Sequence, residues 1–165
     1  MKMKRTFNRS SAPVTPFDRA LKYLSIRQRS TKEIHDYLAR KEYSEADISE
    51  AIQKLIELKF LNDDSFARSF IENRQRKGKS KRAIEFELKL KGVNKEISAD
   101  VLDYANSDYK TALEYITKRL KQFNRLEPDV REKRIIGRLK SRGYDWDTIS
   151  KVMKKLTSIN SADNI

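Results

Sequence analysis

The 165-residue chain contains no cysteine, one histidine, one tryptophan, four glycines and three prolines. Without a thiol there is no disulfide scaffold, no cysteine nucleophile and no Cys-ligated zinc or iron–sulfur site. A reducing cytoplasm is the expected compartment. No apolar run approaches the roughly 18 residues that span a bilayer. The basic start Met1-Lys2-Met3-Lys4-Arg5 is followed by polar residues rather than by the apolar stretch of a signal peptide. Between Phe17 and Lys77 glycine and proline are missing altogether, while Ala, Leu, Glu, Lys and Arg abound. No stretch alternates apolar and polar residues with Val, Ile and Thr enrichment, so the fold class is all-α. At 38% apolar, with seven Phe and seven Tyr, the chain has material for a core.

What is present is a repeat. Ile34, Leu38 and Tyr43 stand four and five residues apart; Ile84, Leu88 and Val93 reproduce the spacing 50 residues on, and Ile135, Leu139 and Tyr144 reproduce it 51 residues later. Two apolar residues four apart share one helical face. Each pattern ends in a basic residue and a turn: Arg40-Lys41-Glu42-Tyr43, Lys91-Gly92-Val93 and Arg142-Gly143-Tyr144. Gly92 and Gly143 fall where a helix C-terminus takes a left-handed residue; Glu42 replaces glycine in the first copy and leaves that turn's geometry open.

A further helix follows each turn from an N-cap at Ser44, Asn94 or Asp145. The middle copy is one residue short before Ile97, so its third helix is expected to be slightly rotated. A helix also precedes each pair: Phe17 to Leu24, Phe66 to Arg76, and Ala112 to about Gln122. Ser30-Thr31-Lys32-Glu33 reads as a capping box. The expected organisation is a flexible basic arm (1–16), three helix-turn-helix-like repeats (17–61, 62–106 and 107–157) and a C-terminal tail (158–165). Units this small need neighbours to pack against, which implies an elongated, curved array, with Pro128 marking a hinge before the third repeat.

Catalytic signatures are absent. Gly78-Lys79-Ser80 resembles the end of a phosphate-binding loop, but Asn73 stands where that loop needs glycine, and Ser80 reads as a helix cap. His35 has no second His or Cys to share a metal with and reads as a surface residue. Asp63 and Asp64 precede Ser65-Phe66 at a helix start, where negative charge suits the helix dipole. No enzyme activity, cofactor or metal is expected.

The formal net charge of +13 points to an anionic partner. Four basic residues and no acid lie in 1–16; basic and acidic residues number nine and eight in 17–61, ten and eight in 62–106, and fourteen and eight in 107–165. Within the second repeat six of nine consecutive residues are basic: Arg74, Arg76, Lys77, Lys79, Lys81 and Arg82. Arg131, Arg134 and Arg138 form a stripe on the third repeat's second helix, with Lys118, Arg119 and Lys121 on the helix before it. Such clusters contact phosphates or an acidic groove, or simply form a solvated face. Phe70, Phe86 and Tyr115 near them have apolar-face spacing and are expected in the core rather than as base-stacking platforms.

Several blocks resemble the RecX family, regulators of the bacterial recombinase RecA. They are Ala20-Leu21-x-x-Leu24, then Arg29-Ser30-x-x-Glu33-Ile34-x-x-x-Leu38, then Leu61-Asn62-Asp63-x-x-Phe66-Ala67 leading into Arg74 and the basic linker with Gly78. Ile84-x-x-Glu87-Leu88-x-x-Lys91-Gly92-Val93 and Arg138-Leu139-x-x-Arg142-Gly143-Tyr144 complete the resemblance, which runs from Phe17 to Leu156. It implies a cytoplasmic, non-enzymatic regulator in DNA repair and the SOS response; a monomer is expected, although the sequence itself does not set the oligomeric state. Such a regulator lodges in the groove of the RecA–DNA filament and inhibits strand exchange and ATP hydrolysis. The family has no strict site to transfer, so contacts to RecA or DNA are expected on electrostatic grounds at Arg74, Arg76, Lys77, Lys79, Lys81, Arg82, Arg131, Arg134 and Arg138. The alternative is a protein that binds DNA directly through its helix-turn-helix-like repeats.

Overall fold

The computed structural model describes residues 14–162 and is helical throughout, with no strand among the described residues. Ten helices follow one another: α1 (Pro16–Leu24), α2 (Thr31–Ala39), α3 (Glu45–Glu57), α4 (Asp63–Arg76), α5 (Lys81–Leu90), α6 (Lys95–Asp103), α7 (Asp108–Thr117), α8 (Leu120–Phe123), α9 (Pro128–Lys140) and α10 (Trp146–Ala162). Apart from the single turn α8 they are three trios. Residues up to Asn62 and residues from Asp63 onward form two compact units. The first unit holds α1 to α3; the second holds the other two trios.

The first unit buries Ala20, Ile34, Leu38, Ile48, Ala51, Leu55 and Leu61. Tyr23 stacks on Tyr37 with ring centroids 3.9 Å apart, and Arg29 lies over the Tyr23 ring at 3.8 Å. The capping box at Ser30 forms with both of its bonds: Ser30 Oγ accepts from the Glu33 amide, and the Glu33 carboxylate accepts from the Ser30 amide. Glu42, at the turn after α2, adopts φ 64°. Its turn therefore follows the same left-handed path as Gly92 at φ 73° and Gly143 at φ 91°, although a side chain is present.

The second unit has two cores. One gathers Phe66, Ala67, Ile71, Ile84, Leu88, Val93, Val101 and Leu102; the other includes Ala112, Tyr115, Ile116, Phe123, Ile135, Leu139, Tyr144, Ile149, Val152 and Leu156. The repeated residues thus occupy equivalent places, since Ile34, Ile84 and Ile135, and Leu38, Leu88 and Leu139, are all buried. Ser44, Asn94 and Asp145 cap α3, α6 and α10 as the spacing predicts, Asp145 Oδ1 accepting from the Thr148 amide at 2.8 Å.

Three local expectations change. The helix α6 is not rotated: five residues after the turn, where Ile48 and Ile149 are buried, the middle copy places Ser98, buried at 2% exposure, and Ile97 is only partly covered. Ser98 Oγ donates to the Asn94 carbonyl at 3.0 Å, so the hydroxyl is satisfied inside the core. The helix expected over 112–122 starts earlier, at Asp108 behind the cap Ser107, and stops at Thr117. There Arg119 leaves helical geometry (φ −117°, ψ 5°) and its side chain turns back, Nη1 donating to the Tyr115 carbonyl at 3.0 Å. At the C-terminus α10 runs through Ala162, beyond residue 157 where a tail is expected, with Thr157 and Ser158 hydroxyls bonded to carbonyls of the preceding turn. The expected N-terminal arm lies, for residues 1–13, outside the described residues, as do residues 163–165 of the tail. Pro128 is the first residue of α9.

Candidate functional site

The basic segment 74–82 carries α4 into α5 and is held against the third trio. Gly78, at φ 73°, closes α4: its amide donates to Gln75 O at 2.7 Å, and the Lys79 amide donates to Arg74 O at 3.0 Å. A Cβ on Gly78 would overlap the Tyr115 ring, so glycine is required both for its backbone angle and for this close approach. Ser80 then caps α5, its Oγ accepting from the Ala83 amide at 3.2 Å, while its own amide donates to the Arg142 carbonyl at 3.1 Å. Gly78-Lys79-Ser80 is therefore a helix-to-helix connection, as its missing glycine predicts.

Arg142 returns the contact. Its Nη1 donates to the Lys77 carbonyl, and its guanidinium lies 4.0 Å from the centre of the Tyr115 ring, with that of Arg119 at 3.9 Å from the same ring. A Cβ at Gly143 would sit 2.6 Å from Ser80 Oγ and 2.8 Å from Ala83 Cβ, which places the α9–α10 turn directly on the start of α5. Asp108 Oδ1 accepts from the Lys81 amide at 2.8 Å. Burial pushes the Asp108 carboxyl above its ordinary range, against the lowering effect of that bond. Burial also pushes the Tyr144 phenol up, with the Asp108 charge adding to the effect, so Tyr144 stays neutral at physiological pH.

These contacts divide the nine expected contact residues. Arg74 Nε pairs with Glu87 Oε2 at 2.5 Å and its guanidinium lies over Phe70 at 4.6 Å; Lys79 Nζ reaches the other oxygen of Glu87 at 3.3 Å. Lys81 Nζ donates to the Leu102 carbonyl at 2.6 Å. These three side chains serve the fold of the second unit. Arg76, Lys77 and Arg82 are exposed. On α9, Arg131 Nη1 donates to Asn124 Oδ1 at 3.3 Å and is half-buried, whereas Arg134 and Arg138 are exposed. Five cations thus remain in two exposed groups, on 76–82 and on α9.

The aromatic residues divide as well. Tyr115 is buried and Phe70 packs partly against the second trio's core. Phe86 departs from the expectation: its ring is 62% exposed. The signal lay in the spacing, since Phe86 stands two residues from both Ile84 and Leu88, roughly 200° around the helix from each. Trp146, which the spacing did not single out, is also 62% exposed, with Lys140 Nζ 5.5 Å from its ring centre.

Elsewhere the ionisable groups have ordinary surface roles. His35 Nε2 lies 2.9 Å from Glu45 Oε2 on an exposed edge. Asp64, in the first turn of α4, receives Arg68 Nε at 2.7 Å, and that bond holds its carboxyl below the usual range. No group of three or more His, Asp or Glu side chains able to hold a metal occurs among the described residues. No described helix is long and apolar enough to cross a membrane.

The architecture is that of a helical-repeat protein with three tandem three-helix modules and a cationic surface. Family models for the first, second and third three-helix domains of RecX match residues 17–55, 62–102 and 106–153. The chain belongs to the RecX family. Regulatory protein RecX of Bacillus subtilis (strain 168) is 33% identical over 150 residues, covering 89% of this chain but 57% of its own length, so the chain spans little more than half of that relative. Regulatory protein RecX of Chlorobium phaeobacteroides (strain BS1) is 32% identical over 143 residues, covering 85% of this chain and 92% of its own. The crystal structure of RecX from Lactobacillus salivarius superposes with a TM-score of 0.71 at 26% identity, covering 86% of this chain and 94% of that one.

Proposed function

We propose that this protein is a non-enzymatic regulator of RecA, which binds the RecA–DNA filament in the cytoplasm and restrains strand exchange and ATP hydrolysis during DNA repair and the SOS response. The observation that carries this reading is the match of all three helical trios to successive RecX domains. The surface chemistry supports it, because Arg76, Lys77 and Arg82 on one segment and Arg134 and Arg138 on α9 are exposed and suited to an anionic partner. The buried side chains of these trios serve as core, caps and junction.

Direct DNA binding is the second reading, favoured by the exposed Arg134 and Arg138 in the middle and last turn of one helix. Binding to labelled single-stranded DNA, bare or coated with RecA, separates the two. The regulator reading expects tight binding only to the coated strand. Tight binding to bare DNA, with log affinity falling by ~0.7–0.9 per phosphate contact as log salt rises and no gain from RecA, would instead establish a DNA-binding protein.

A further inference from the structure

Between α5 and α6 the second trio has an open cleft of about 430 Å³. Phe86, Val93 and Ser98 line it together with Arg82, Lys89, Lys95 and one carboxylate, Glu85. Arg82, Phe86 and Lys89 are four and three residues apart and therefore share one face of α5. Neither Lys89 nor Lys95 is held in an ion pair among the described residues, and Leu90, exposed at 63%, extends the apolar surface toward the helix end. Phe86, 62% exposed, thus presents apolar surface at a concave site ringed by cations, where an apolar group of a partner can be covered on more than one side.

We infer that this cleft docks an acidic protein segment with a single large apolar anchor, the anchor entering against Phe86 and its flanking carboxylates meeting Arg82, Lys89 and Lys95. The volume accommodates one or two apolar side chains, and a buried anchor ringed by charge pairs is the ordinary anatomy of a small binding hot spot. Glu85 decides between partner classes. A peptide places its carboxylates over the three cations and an uncharged residue opposite Glu85; a polynucleotide carries a charge on every unit and cannot leave that position neutral. The inference rests on the reading of this chain as a protein-binding regulator and identifies the kind of segment it takes on the second trio.

The test uses the full chain and a fluorescein-labelled twelve-residue peptide in which Asp and Glu alternate with Ser around one central Leu, followed by fluorescence anisotropy. Oligothymidylate and the same peptide with Ser in place of Leu serve as comparison probes. The peptide is expected to bind, and Phe86→Ala, the pair Lys89→Glu and Lys95→Glu, and the Ser probe should each weaken binding about tenfold or more. The pair Lys154→Glu and Lys155→Glu, on the exposed side of α10, should leave it unchanged. Failure of the peptide to bind, equal binding by Phe86→Ala, or a Phe86 requirement shown by oligothymidylate alone overturns the inference, the last assigning the cleft to nucleic acid. A parallel measurement of RecA ATP hydrolysis keeps the two readings apart. A wild-type chain without effect there counts against the regulator reading while the peptide arm still decides the cleft; a wild-type effect that Phe86→Ala fully retains counts against the cleft.

Discussion

Glu42 is a residue whose side chain works against its backbone. In the left-handed region an L-residue pays on the order of 1 kcal/mol relative to glycine, and the two equivalent turns carry Gly92 and Gly143. The Glu42 side chain is exposed, so little packing is lost on its removal. Glu42→Gly should therefore stabilise the first unit by roughly 0.5–1 kcal/mol, read as a higher midpoint in thermal or urea unfolding. An unchanged or lower midpoint would mean that the glutamate makes a compensating contact. The repeat alone located this position in the sequence, because the three turns align on one residue; the angle itself needed the structure.

Asp108 is the residue whose charge opposes folding. Its folded-state pKa is raised, so the folded protein holds that proton more tightly than the unfolded chain. The group therefore costs stability at neutral pH, and the cost fades as pH falls through the raised pKa toward the ordinary carboxylate range near ~4. Asp145 and Asp64, whose carboxyls are lowered by the Thr148 amide and by Arg68, act with the opposite sign: their support is present above the ordinary range and is lost as pH drops below it. Asp108→Asn keeps an oxygen that can accept from the Lys81 amide while removing the charge. Its stability relative to wild type should be most favourable near pH 7, and the difference should shrink toward pH 4. A difference constant across that range would refute the desolvation argument.

At the scale of elements, the joint between α4 and α5 carries the most consequence. Gly78 must be left-handed and must lie against Tyr115, while Ser80 bonds to Arg142. Gly78→Ala asks the chain to adopt a strained angle and to displace a buried ring, so the second unit should lose about 2 kcal/mol or more. The measurement is urea unfolding with the Trp146 fluorescence as probe; a loss below ~0.5 kcal/mol would show that the joint is soft. Helix existence, caps and core faces were legible in the sequence, since periodicity and N-cap chemistry act over a few residues, as at Ile84-Leu88 and Asn94. The use of Arg74 and Lys79 was not, because their partner Glu87 reaches them only once α5 folds back on α4. Phe86 lies outside the core for a simpler reason: it stands roughly 200° around α5 from Ile84 and from Leu88, so the helix turns it away from the face they bury.

At the scale of the whole molecule, the cations behind an overall charge of +13 include some held by the fold and others exposed to solvent. Arg74, Lys79, Lys81 and Arg142 belong to the first class, Arg76, Lys77, Arg82, Arg134 and Arg138 to the second. Charge reversal in the second class should leave unfolding within about 0.5 kcal/mol of wild type, because exposed cations without a close partner contribute little to stability. The same changes should weaken partner binding. The most direct test is the rate of ATP hydrolysis by RecA on single-stranded DNA as the chain is added, for wild type and for the triple variant Arg76→Glu, Lys77→Glu, Arg82→Glu. Wild type should slow hydrolysis at substoichiometric amounts, with the triple variant needing several times more protein for the same effect. Unchanged hydrolysis by RecA from the same cell, at wild-type concentrations equal to or above that of RecA, would contradict the assignment.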